Sequence, residues 1–224
     1  MGANYPSALK RLWTWAKDAL SDGQTVSFEL SEEAFGSTKK RAISISDIHA
    51  VCSGGEMAGS VICIYMNFLN DYVQKHKMAN LIAFVDPSTI GALGCGNVGQ
   101  RSRALALNHW TLTVANPEAE IVYHMDPLKR RIANGEWVEV VDNAIKFYKE
   151  DQKKVVKKKI GMGEHGGTKD CGLFVMRYMK EIVQDKDLDF ANKWMRRSNL
   201  AYTQDNISEI KIEFAKYFMK RYAC

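Results

Sequence analysis

The chain has 224 residues, 46% of them hydrophobic, and 31 Lys+Arg against 26 Asp+Glu give a net charge of +5. That length and apolar content suit one soluble domain with a sizeable core. The modest basic excess, gathered partly in Lys153–Lys159, has no interleaved aromatic residues and argues against a nucleic-acid platform.

Five cysteines (Cys52, Cys63, Cys95, Cys171 and Cys224) stand at irregular spacing with no Cys-x-x-Cys pair, which indicates neither a disulfide framework nor a zinc ribbon and points to a reducing compartment. The longest apolar stretch, Val61–Leu69, is interrupted by Asn67 and falls short of the ~18 residues of a membrane span. Pro6 stands where a myristoylation signal needs Ser or Thr, and Cys224 is too close to the terminus for a prenylation box. A soluble monomer with no membrane contact is expected.

In chain order, Ser7–Leu20 reads as an amphipathic helix, with Leu9, Leu12, Trp13, Ala16 and Leu20 at helical spacing. Val26–Leu30 and Ala42–Ser46 alternate as short strands around a polar Gly36–Lys40 loop, and Asp47 caps a short helix. After the Ser53-Gly54-Gly55 break, a helix is expected over about Ala58–His76, with Val61, Ile64, Tyr65, Phe68 and Tyr72 inward. Leu81–Val85 reads as a strand. The following Gly94–Gly99 matches G-x-G-x-x-G, but no strand leads straight into it and a polar stretch follows, so it reads as a loop and no cofactor is expected. Asn108–Pro127 reads as a hairpin around Asn116–Ala119, and a helix is expected near Val138–Glu150. Lys153–Lys159 reads as a solvated run. Cys171–Val183 is apolar nearly all round, with Asp170 as its N-cap and Arg177, Lys180, Glu181 and Gln184 as a polar edge. Asp185–Asp189 opens like a calcium loop, but Phe190 and Arg196 stand where Gly and Glu are required. His49 and Cys52 could share one helical face without a second pair of ligands, so no metal site is expected. The last helix is expected over Ser208–Arg221, with Ile210, Phe214, Tyr217 and Phe218 inward. Residues 1–40 read as an extension packed on a single unit, 41–224.

Cys171 is the residue with chemical potential, because a helix N-terminus favours a thiolate. A nucleophilic cysteine needs a base, and the base needs an orienting group. If the hairpin is centred on its turn, Val114 faces Ile121, Leu112 faces Tyr123, Trp110 faces Met125 and His109 faces Asp126. Trp110, Leu112, Val114, Ile121, Tyr123 and Met125 then share an apolar face, while His109, Thr111, Thr113, His124 and Asp126 share a face free to form a site. Asp126 can hold the His109 imidazole, and Trp110 anchors the strand. His124, opposite Thr111, reads as a partly exposed strand histidine with a hydroxyl or water partner.

Asn108-His109-Trp110-Thr-Leu-Thr-Val, Tyr123-His-Met-Asp126-Pro-Leu and Asp170-Cys171-Gly172-Leu-Phe-Val-Met-Arg-Tyr-Met179 resemble the motifs of the ubiquitin-like-protein proteases, the SUMO or sentrin-specific proteases, and especially their plant transposon-associated relatives. Weaker likeness runs over about residues 41–221. The resemblance implies an α+β, papain-like cysteine protease fold, with a central mixed sheet flanked by helices and with 41–224 as the catalytic domain. It implies His109 as base, Asp126 as orienting acid, Cys171 as nucleophile, and a ubiquitin-like protein as partner, cleaved after its Gly-Gly tail, in the nucleus or cytoplasm. Trp110, Glu56 and Gly172 would contact that substrate. The Cys171 N–H would hold the oxyanion together with His165, which stands where the family has glutamine. Losing one such donor costs about 10²–10³ in kcat. The family's substrate-covering tryptophan would fall near Gly55 or Glu56, where this chain has none. Two other readings stay open: a degenerate protease-fold domain that binds a ubiquitin-like protein or another partner, and a thiol acyltransferase on the same fold.

Overall fold

Phe28, Leu30 and Ile43 are buried at alternate positions of two short segments, the period that turns one face of a strand inward. In the computed structural model, which describes residues 5–90, 110–116, 121–127, 143, 156–159, 170–196 and 202–223, these segments pair as an antiparallel hairpin of β1 (Thr25–Leu30) and β2 (Lys39–Ser44). The short α2 (Glu32–Phe35) between them is capped by Ser31 Oγ, which accepts from the Ala34 N–H. Ahead of the hairpin, α1 (Ser7–Ala19) buries Leu9, Leu12 and Ala16. β2 crosses position 40, and Leu9, Leu12, Phe28 and Leu30 share one core with Val61, Leu173 and Phe214.

Helix α3 (Ile45–Ser53) starts at a capping box. Ser44, not Asp47, is the N-cap; its Oγ accepts from the Asp47 N–H while Asp47 Oδ2 accepts from the Ser44 N–H. Gly54, at φ 79°, turns the chain out of the helix. Helix α4 (Gly59–Lys75) buries every residue from Val61 to Met66 as well as Leu69 and Val73, so it is covered nearly all round rather than on one stripe. A short α5 (Pro87–Ile90) follows.

Leu81–Val85 is not a strand. The Leu81 and Ile82 N–H groups turn back to the Met78 carbonyl, one link joins the Phe84 N–H to Ala34, and Leu81 and Val85 are 64% and 55% exposed. With only Phe84 buried among the apolar positions, the segment has no ladder to join. It is tied down instead by Asp86, whose carboxylate accepts from Ser88, Lys39 and Arg41. Burial opposes the Asp86 charge, but these donors outweigh it and hold the carboxyl below its ordinary value.

The second sheet has the order β3-β4-β5, with β3 (Leu112–Asn116) antiparallel and β5 (Val156–Lys159) parallel to β4 (Ile121–Met125). It is therefore mixed. Residues 156–159, for which no strand was expected, pair with β4 as β5. In the hairpin Leu112 faces Met125, Val114 faces Tyr123 and Asn116 faces Ile121, a register two residues away from the expected one. Asn116, expected in the turn, is part of the strand and pairs with Ile121. A shift of two preserves which residues share a face. Both faces of β4 are nevertheless covered, since Val122 and His124 are buried as well as Met125.

Helices α6 (Cys171–Gln184) and α8 (Gln204–Tyr222) pack with α4, and α7 (Phe190–Arg196) closes over α6 through Trp194. α8 begins four residues earlier than expected, at a capping box made by Thr203 and Asn206. The polar edge of α6 leaves Gln184 exposed and draws its other members into contacts with neighbouring elements. Lys180 is buried and donates to Glu209 at 2.7 Å and Glu213 at 2.6 Å, and Arg177 bridges Glu181 and Glu209. Glu181 also accepts from Trp194 Nε1 and the Tyr202 hydroxyl, and Glu213 from the Tyr65 hydroxyl. These bonds fix α6 to α4, α7 and α8 together.

Lys180 is the buried member of this network, while Glu209 and Glu213 reach solvent, so its removal costs its hydrogen bonds rather than stranding buried charges. Lys180→Ala is expected to lower unfolding stability by about 1–2 kcal/mol in urea titrations. The Lys180 hydrogen bond is the main reason the Glu209 carboxyl sits below its ordinary value, with Arg177 next. A group depressed on folding stabilises the fold above its unfolded pKa and loses that contribution as pH falls through the folded value. The acid limb of the wild-type stability curve, below about pH 4.5, is expected to flatten in Lys180→Ala.

Candidate active site

Cys171 opens α6 and is 1% exposed. Asp170 occupies the N-cap position, but at φ −97°, ψ 7° its side chain makes no cap bond. Its main-chain carbonyl accepts instead from the Leu173 and Phe174 N–H groups. The helix N-terminus is thus formed by backbone geometry, not by the expected side-chain cap.

The thiol meets the segment that leads into β3. The main-chain N–H of Trp110 donates to Cys171 Sγ at 3.3 Å, and the indole Nε1–H donates to the Met57 carbonyl at 2.7 Å. Trp110 is therefore bonded both to the thiol and to the segment leading into α4. Gly172 completes this contact by lacking a side chain. A Cβ there would stand 2.5 Å from Met57 Cβ and Cγ and 3.5 Å from the Trp110 ring, so glycine is required for close packing. Of the three residues expected to contact substrate, Trp110 and Gly172 lie beside Cys171, while Glu56 is exposed next to Met57. Met57 was not singled out from the sequence. It is an isolated apolar residue inside the Gly54–Gly59 break, and nothing local marks it as a packing residue.

Asp126 directly follows β4 and is buried. The observed register, continued by one step, aligns it with position 111 rather than 109. Its carboxylate acts on α6, because burial and then the Asp126 charge push the Tyr178 hydroxyl above its ordinary pKa. His124 is buried opposite Thr113, not partly exposed opposite Thr111. His109, His165, the Gly94–Gly99 loop and, apart from Asn143, the helix expected near Val138–Glu150 lie outside the described residues.

Two other described thiols are core residues. Burial pushes Cys52 up to about 11 and Cys63 up to about 12, which holds both protonated. Cys52 Sγ lies 3.8 Å from the Leu9 carbonyl, the His49 ring packs on Trp13, and neither thiol opens a helix. Among the described residues no cluster of His, Cys, Asp and Glu has the makings of a metal site.

Neither a family model nor a curated protein sequence matches the chain. Its structure is similar to a solved one described as the SUMO protease Ulp1 with the catalytic cysteine oxidized to a sulfenic acid. The TM-score is 0.55 with 10% sequence identity, and the match covers 97% of each chain. At that identity the likeness is one of fold. The fold is the α+β, papain-like cysteine protease type.

Trp110→Phe keeps an aromatic ring, smaller than the indole, but leaves the Met57 carbonyl without its donor. A loss of about 1–2 kcal/mol is expected on thermal or chemical denaturation. Gly172→Ala forces Met57 and its backbone to move, and should cost about 1–3 kcal/mol.

Proposed function

We propose that the chain is a cysteine peptidase that cleaves a ubiquitin-like protein, of the SUMO type, after its Gly-Gly tail. The observation that carries this reading is the Trp110 N–H donating to Cys171 Sγ: Trp110 is bonded to His109, so the residue expected as base is the chain neighbour of the one that meets the thiol. The buried Asp126, within electrostatic reach of α6, supports its assignment as the acid. Similarity in fold to a SUMO protease supports the substrate class.

In this reading His109 takes the Cys171 proton and Sγ attacks the carbonyl carbon of the terminal glycine. The tetrahedral oxyanion is held by the Cys171 N–H with the His165 imidazole. Collapse breaks the C–N bond, and His109 returns the proton to the leaving amine. Water then adds to the thioester with His109 again as base, and the carboxylic acid and free thiol are released. Asp126 stabilises the imidazolium in both halves.

The reading is tested by hydrolysis of ubiquitin-like proteins that carry a fluorogenic amide at the C-terminal glycine. At least one should be cleaved. Cys171→Ala and His109→Ala should abolish turnover, and His165→Ala should lower kcat about 10²-fold as an oxyanion donor is lost. Cleavage of no member by folded protein, or cleavage that survives Cys171→Ala, contradicts the assignment.

A further inference from the structure

At the far end of α4 from Cys171 lies a second concavity. The Trp110 ring stands 3.8 Å from a Cβ built on Gly59, the first residue of α4. Asn70 is eleven residues further along, about 16 Å at 1.5 Å per residue. There a cavity of about 570 Å³ opens between β1, α4 and α8, lined by Ser27, Glu29, Asn67, Asn70, Tyr217 and Tyr222 among others.

Two features of its wall suit a partner. Asn70 is only 8% exposed and lines the cavity, and its carboxamide has no hydrogen-bond partner among the described residues, so its donor and acceptor are open to a molecule seated there. The second is the edge of β1. This strand has β2 on one side and, among the described residues, no strand on the other. The Glu29 carbonyl already accepts from Asn67 Nδ2 of α4 at 3.1 Å, so it points toward the cavity. In an antiparallel pair, outward-pointing residues recur every second position. Ser27, two residues back and exposed, then presents its N–H and C=O on the same edge. An open strand edge is a template for another extended chain.

We propose that this cavity binds an extended peptide segment of a partner protein, added as a strand along β1, with the carboxamide of Asn70 bonding its main chain. Main-chain groups on Ser27 and carboxamides, each both donor and acceptor, match the alternating N–H and C=O of a peptide. Charge selects its side chains. Lys40 is already paired with Glu29, and the remaining charged groups at the rim, Glu33, Asp71 and Arg221, have no ion-pair partner among the described residues. Two acids against one base favour a segment carrying lysine or arginine.

The test is panning of a phage-displayed library of random eight-residue peptides against the full chain, followed by fluorescence anisotropy with the selected peptides made synthetically. Selected peptides should contain a basic residue. They should bind Asn70→Leu at least tenfold more weakly than wild type, and should lose at least tenfold when alternate main-chain amides are N-methylated in one of the two phases. Circular dichroism and a melting curve establish that the variant is folded. Should Asn70→Leu melt early, Ser27→Pro, which removes an edge N–H and is tolerated on edge strands, takes its place. Selection of no peptide, or a loss below tenfold from either change, overturns the proposal.

Discussion

The Trp110 N–H meets Cys171 Sγ at 3.3 Å because the three-stranded sheet and the helical core are pinned together at that point, and the pin is tryptophan. Its amide holds the thiol, its indole holds the Met57 carbonyl, and its ring lies against Gly172. Each contact involves a different stretch of chain, so a shift of any one disturbs the others. A side chain at position 172 would break the arrangement at once, since it would overlap Met57. The candidate nucleophile is thus placed by backbone and packing, while the Asp170 side chain contributes no cap.

The rest of α6 keeps that N-terminus from moving. Its apolar residues enter the core, and its charged residues bind to α8 through Lys180, Arg177, Glu209 and Glu213. A buried lysine is expensive unless its donors are satisfied, and here two carboxylates satisfy it. The network fixes rotation and register of the helix as well as its contact, which apolar packing alone does less strictly. Function in a cysteine peptidase depends on such fixity, because attack needs the sulphur within a few tenths of an ångström of its proper place.

Much of the helical part of the fold was legible in the sequence, because apolar residues at helical spacing in Ser7–Leu20, Ala58–His76 and Cys171–Val183 depend only on local order. What local order does not encode was misread. The destination of Lys180 and Arg177 lies some thirty residues away on α8, so the polar edge was legible but its partners were not. The strand at residues 156–159 pairs in parallel with β4, and nothing near Lys157–Lys159 announces it. The expected hairpin register was off by two because the turn was taken to include Asn116, which instead pairs with Ile121. For the candidate site, the place of Cys171 at a helix start and of Asp126 at the end of a strand was legible. The roles of Met57 and of the Trp110 amide were not, since both depend on contacts between distant segments.

The cavity beside Asn70 stands at the other end of α4, and shares no residue with the Cys171 site. A peptidase with a second, strand-binding surface would select partners by two separate contacts, one chemical and one by main-chain addition. The chemical contact is the central claim, and intact-mass analysis tests it most directly. The protein is incubated with ubiquitin-like proteins bearing a thiol-reactive electrophile at the C-terminus, beside Cys171→Ala. One covalent adduct with at least one of them, absent from the variant, is the predicted result. An unmodified mass with every member, or an adduct that persists in Cys171→Ala, would contradict it.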